Sequence, residues 1–127
     1  MIPVERARLT AKKLLEKTRA DQVKWEKDSG QRFGASFVMA FPKSSIRLTF
    51  ISPTAEPDTI TLYFFDENGS SVGSWSVEEG SEPDWQLLND LLAEANRSAT
   101  GWDKVLEDVE RALDADVPTE KVRNIPF

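Results

Sequence analysis

"TITLYFFDENGSSVGSWSV", residues Thr59 to Val77, decides the fold. Asn68-Gly69 stands between two runs in which apolar and polar residues alternate, the strongest short-range sign of a β-hairpin. A two-residue type I′ loop centred on Asn68-Gly69 sets Leu62 opposite Trp75, Ile60 opposite Val77 and Phe64 opposite Gly73. The large apolar side chains of that set then share one face, as a half-buried pair of strands requires. Tyr63, Phe65 and Val72 fall together on the other face near the turn, while Thr61, Ser74 and Ser76 keep the rest of it polar. Two readings of the three apolar residues stay open: a helix covers them as core, or they form a partner-binding patch.

The same alternation runs upstream. "VKWEK" puts Val23 and Trp25 on one face, and "DSG" at Asp28 to Gly30 predicts a turn. "FGASFVMAF" then alternates through Phe33, Ala35, Phe37, Met39 and Phe41. Pro42, which cannot donate to a ladder, ends that strand. "SIRLTF" turns Ile46, Leu48 and Phe50 inward with Arg47 and Thr49 outward, and the proline-rich "SPTAEPD" follows as a loop. The period changes to helical at both ends. Val4, Ala7, Ala11, Leu14, Leu15 and Thr18 share one face from about Val4 to Arg19, and Arg6, Arg8, Lys12, Lys13 and Lys17 fill the others. After the sheet, Ser81 is placed to cap a helix carrying Leu87, Leu88, Leu91, Leu92 and Ala95 to about Arg97. Thr100 caps another, with Val105, Leu106, Val109, Ala112 and Leu113 as its stripe, and Trp102 is expected to pack in the corner between them. The expected fold is a single α+β domain over residues 1–114. It has an N-terminal helix, a five-stranded antiparallel meander and two C-terminal helices packed on one sheet face. Residues 115–127, "ADVPTEKVRNIPF", are expected to be a tail.

Composition narrows the chemistry. The 127 residues include no cysteine and no histidine. That excludes thiol chemistry, zinc held by nitrogen and sulfur, and every triad built on histidine. A general base would have to be a carboxylate or lysine with a shifted pKa. No apolar run approaches a membrane span and "MIPVERARLTAKKLLEK" has no apolar leader core, so a cytoplasmic protein with no membrane partner is expected. The net charge of −6 is unevenly placed, at +6 over residues 1–50 and −12 over the remainder. Such a division either brings the two ends of the chain together in the fold or marks surfaces for partners or for self-association.

Carboxylates and glycines are the remaining residues on which a site could be built. "DENGS" at Asp66 begins like a calcium loop but lacks its spacing and distal glutamate. Glu107, Asp108 and Glu110 suit a solvated helix surface, and Asp84 with Asp90 or Glu94 remains as a possible Mg²⁺-dependent hydrolytic pair. "GSSVG" has neither the spacing nor the following helix of a phosphate cradle, and no G-x-S-x-G elbow occurs. The sequence therefore designates no catalytic, metal or cofactor-binding residue, expects no cofactor, and leans away from an enzyme. It favours a protein partner or a homo-oligomer, with Tyr63, Phe65, Val72, Lys12, Lys13 and Lys17 as candidate binding residues. The alternative is nucleic acid held by the basic N-terminal helix, with Lys24, Arg32, Lys43 and Arg47 nearby. Trp25, Phe33 and Phe37 take inward positions on their strands, and the acidic pI of about 4.7 weighs against phosphate binding.

Leu14, Leu15 and Thr18 before Trp25, Asp66 and Gly69 in the turn, and Ala95, Arg97, Ser98, Ala99, Gly101 and Asp103 at the helical corner form a recurring set. Through these the chain resembles a group of small uncharacterised bacterial proteins that share an LL-x-x-T helix, a Trp-containing strand, an antiparallel meander and an A-x-R-S-A-x-G-x-D corner. The likeness covers most of the chain up to Asp114. It implies the α+β fold and a bacterial cytoplasmic setting, and it carries no functional residue.

Overall fold

Alternation in the middle of the chain becomes one antiparallel sheet, and the helical periods at its ends become three helices, two of which cover it. The computed structural model describes residues 2–28 and 35–115. Within them run α1 (Val4–Arg19), β1 (Glu26–Lys27), β2 (Ala35–Phe41), β3 (Ser44–Ile51), β4 (Thr59–Phe65), β5 (Ser71–Glu78), α2 (Asp84–Thr100) and α3 (Trp102–Asp114). The strands lie in the order β1-β2-β3-β4-β5, a meander with every neighbour antiparallel. The expected turn at Asp28 to Gly30, the Phe33 end of the second strand, Arg32 and the tail beyond Ala115 lie outside the described residues.

Register aligns the apolar positions into rows across the sheet. Phe37, Leu48, Leu62 and Trp75 are successive partners, and Met39, Ile46, Phe64 and Gly73 form the next row. Against that face, Ala7, Ala11, Leu14 and Leu15 of α1 and Leu88, Leu91 and Ala95 of α2 complete one core. Gly73 leaves room for Ile2: a Cβ there would lie 2.6 Å from its Cγ1. The opposite sheet face carries a polar row in which Ser36 pairs with Thr49 and Thr61 with Ser76. Thr49 points outward as expected yet is buried, and its hydroxyl is satisfied by that of Ser36 at 3.2 Å.

Trp25 is fully buried between both helices and the sheet. Its indole N–H donates to Thr18 Oγ1 at 3.0 Å, its backbone N–H donates to Ser98 Oγ at 3.0 Å, and Thr18 Oγ1 donates to the Leu14 carbonyl. The charge division of the sequence is partly used inside the fold. Arg8 of α1 grips Asp84 of α2 through two bonds of 2.7 and 2.9 Å, and Arg19 faces Asp90 and Glu94. The Arg8 guanidinium holds the Asp84 carboxyl below its ordinary pKa, with Lys12 adding to the effect.

The first strand, expected through Val23 and Trp25, pairs only at Glu26–Lys27, so Trp25 precedes the sheet rather than alternating within it. Three further expectations are corrected. First, the hairpin loop has three residues. The Asp66 carbonyl accepts from Gly69 N–H, Ser70 carbonyl accepts from Asp66 N–H, and only Gly69 has positive φ, at 79°. That is a type I turn closed by a left-handed glycine. The Asp66 carboxylate selects it by accepting from the N–H groups of both Asn68 and Ser70. The pairing is thereby shifted to Phe65–Ser71, and a bulge at Val72 restores Phe64–Gly73 and the expected register beyond. Second, α2 continues to Thr100. The Ser81 and Thr100 side chains cap no helix, Thr100 Oγ1 donating instead to the Asn96 carbonyl. Third, α3 does not pack on the sheet: none of its residues is buried, Trp102 included.

Three outcomes follow from this packing. Thr18→Val leaves the buried indole N–H of Trp25 without an acceptor, and urea unfolding should show a loss of about 1–3 kcal/mol at unchanged m-value; an unmoved midpoint contradicts the node. Gly69→Ala should cost about 1–2 kcal/mol through left-handed backbone alone, whereas Asn68→Ala should stay within about 0.5 kcal/mol; a type I′ loop would penalise both. Because the folded-state pKa of Asp84 is lowered, its contribution is complete above the ordinary carboxylate range and disappears as pH falls through the lowered value. Thermal melts of wild type and Asp84→Asn should therefore differ at neutral pH and converge in acid.

Candidate functional site

The surfaces able to do work are built at the two ends of α1. At its C-terminal end stands the corner that launches α3. Arg97 on the last turn of α2 organises it: Nε donates to Glu94 at 2.8 Å, Nη1 to Asp21 at 3.1 Å and Asp103 at 3.3 Å, and Nη2 to the Thr18 carbonyl at 3.0 Å. Glu94 most of all, and Asp21 after it, raise the Arg97 pKa above its ordinary value against the opposing effect of burial. Gly101 ends α2 and begins α3 in the left-handed conformation, φ 66°, donating to the Arg97 carbonyl and accepting from Lys104 and Val105. A glycine suits that conformation because no Cβ opposes it.

From this corner α3 projects its apolar residues into solvent. Trp102, Val105, Leu106, Val109 and Leu113 are between 46% and 68% exposed. Their spacing puts them on one stripe of the helix. At 100° per residue, Asp103, Glu107, Glu110 and Asp114 line one side of that stripe and Asp108 the other, with Lys104 and Arg111 on the back. A helix of this length is marginal alone in water, and five of the ten exposed large apolar side chains of the described residues lie on it.

At the N-terminal end of α1 a groove of about 420 Å³ opens between α1 and the β4–β5 hairpin. Ile2, Ala7, Ile46, Phe64, Phe65 and Val72 form its apolar wall, with Arg6 and Thr10 at the α1 rim. Lys13 and Lys17 continue the Arg6–Thr10 flank at helical spacing.

The six candidate binding residues thus separate. Phe65 and Val72 do meet, on the groove, where Val72 is 55% exposed at the bulge. Tyr63 is not on the groove lining; its ring stacks on Phe65 at 6.4 Å, while the Arg47 guanidinium sits 5.5 Å from the Phe65 centroid. Lys13 and Lys17 lie on the groove flank of α1, whereas Lys12 lies on the opposite flank toward Asp84. The acidic outer side of the two C-terminal helices is legible as a surface, but the apolar stripe of α3 is not: its periodicity in sequence is that of a helix packed on the sheet.

The acids weighed for hydrolysis are engaged elsewhere: Asp84 with Arg8, Asp90 with Gln86 and Arg19, Glu94 with Arg97 and Arg19. Among the described residues no group of three or more acids could hold a metal ion, and no helix is long and apolar enough to cross a membrane. Comparison of the chain with protein families, with curated proteins and with solved structures finds no match in any of the three.

Proposed function

We propose that the chain is a small non-enzymatic protein-interaction module of the bacterial cytoplasm, with α3 as its docking element. One observation carries this reading: an amphipathic helix with five large apolar side chains on one stripe, none of them buried. Fully burying a side chain of the Val or Leu class is worth about 1.5–3 kcal/mol. Five such groups, already partly shielded, bring a gain comparable with the cost of association, about 4–15 kcal/mol. A partner that covers the stripe and also meets its acidic borders adds the surplus that a complex requires, which single exposed apolar residues do not offer.

Nucleic-acid binding by α1 has weaker support. Arg8 and Arg19 are paired with the acids of α2, which reduces the positive charge open to phosphate.

The test is capture from the lysate of the cells that make the protein, using tagged wild type beside Leu106→Glu/Val109→Glu. At least one stoichiometric protein should be retained by wild type and lost by the variant, whose far-ultraviolet circular dichroism should be preserved. Retention of nothing that the variant loses overturns the reading. Nucleic acid that elutes at raised salt from both baits supports α1 instead.

A further inference from the structure

We propose that α3 of one copy docks in the groove between α1 and the β4–β5 hairpin of a second copy, each copy giving and receiving one helix about a twofold axis. The inference rests on the docking role given to α3 above and names its partner.

Charge decides among the possible occupants. The α3 stripe is bordered by Asp103, Glu107, Glu110 and Asp114 on one side and Asp108 on the other. Two α3 helices laid stripe to stripe would bring these acids together, at a cost. The groove offers the complement: an apolar wall that includes Ile2, Phe64 and Val72, rimmed by Arg6 on the α1 flank that continues to Lys13 and Lys17. The other basic flank of α1 is already turned to α2 through Arg8 and Arg19.

Placement decides between the groove of the same copy and that of another. The α3 root is fixed beside Thr18 by Arg97, whereas the groove lies beside Ile2 and Arg6. From Arg6 to Thr18 is about 18 Å along α1 at 1.5 Å per residue. Trp102 and Val105, next to the root, are therefore held away from their own groove. Root and groove at opposite ends of one helix are also what a closed exchange needs. A twofold axis crossing near the middle of α1 sets the two α1 helices antiparallel and brings each α3 to the other copy's groove, satisfying both sets of surfaces without an open chain of subunits.

Sedimentation equilibrium on the full chain tests this, with circular dichroism on every variant. Wild type should be a dimer at micromolar concentration. Leu106→Glu on the stripe and Val72→Glu on the groove wall should each weaken the dimer by about 30-fold or more, and Arg6→Glu by about 10-fold. Mixing the Leu106→Glu and Val72→Glu chains should restore association beyond either alone, because one intact α3 then meets one intact groove. Should Val72→Glu unfold, Arg6→Glu takes its place in the mixture.

A wild type that stays monomeric overturns the second copy as partner. It leaves the interaction reading to the capture experiment, where a different protein would still be lost with Leu106→Glu/Val109→Glu. A dimer indifferent to Leu106→Glu overturns the role of α3. A dimer sensitive to Leu106→Glu that mixing fails to restore means α3 pairs with α3, and the groove assignment falls.

Discussion

Everything in this fold converges on Trp25. The side chain is too large to be buried cheaply with its N–H unmatched, and leaving such a donor unpaired costs about 1–3 kcal/mol. Thr18 on α1 answers the indole and Ser98 on α2 answers the backbone, so one residue between the first helix and the sheet fixes where both covering helices lie. Lys24 adds a bond from its ammonium to the Ser98 carbonyl at 2.5 Å. Hydroxyls inside helices usually weaken them by competing for backbone groups. Here Thr18 returns its proton to the Leu14 carbonyl, which frees its oxygen to accept from tryptophan. The sequence motifs around Thr18, Trp25, Arg97 and Ser98, far apart in the chain, meet at this one node.

Electrostatics then divides α1 lengthwise. Arg8, Lys12 and Arg19 serve the interior seam with α2, and Arg6, Lys13 and Lys17 are left on the outer flank. The strongly basic first half of the chain is thus two surfaces on one helix. Net charge alone does not distinguish these surfaces; the angular distribution of that charge shows a helix that pairs inward with α2 and keeps its other basic flank outside.

Much of the architecture was legible because alternation with period two leaves little freedom. Once Leu62 faces Trp75, a slip of one residue would turn every apolar side chain to water. The turn itself was not legible from Asn68-Gly69, since that dipeptide fits both a two-residue loop and the end of a three-residue one. Asp66 chose, through its carboxylate, and the Val72 bulge then returned the strands to the pairing that burial demands. The destination of α3 was hidden for a different reason. An apolar stripe shows that a helix wants cover without saying whose. Five strands about 4.8 Å apart span about 19 Å, which two helices about 10 Å across already fill. With α1 and α2 in place, the third helix had no apolar sheet face left to cover. Trp102 and Leu106 on the candidate site therefore read, in sequence, like core.

Arg97 gives this arrangement a further property. One guanidinium holds Asp21 after α1, Glu94 within α2 and Asp103 at the start of α3, across a joint of a single glycine. The bonds that close the body are the bonds that aim the arm. Folding and the aim of α3 are then linked equilibria: whatever loosens the corner also disperses the directions in which α3 points, and a partner docking on α3 as proposed would tighten the corner in return, by the same free energy.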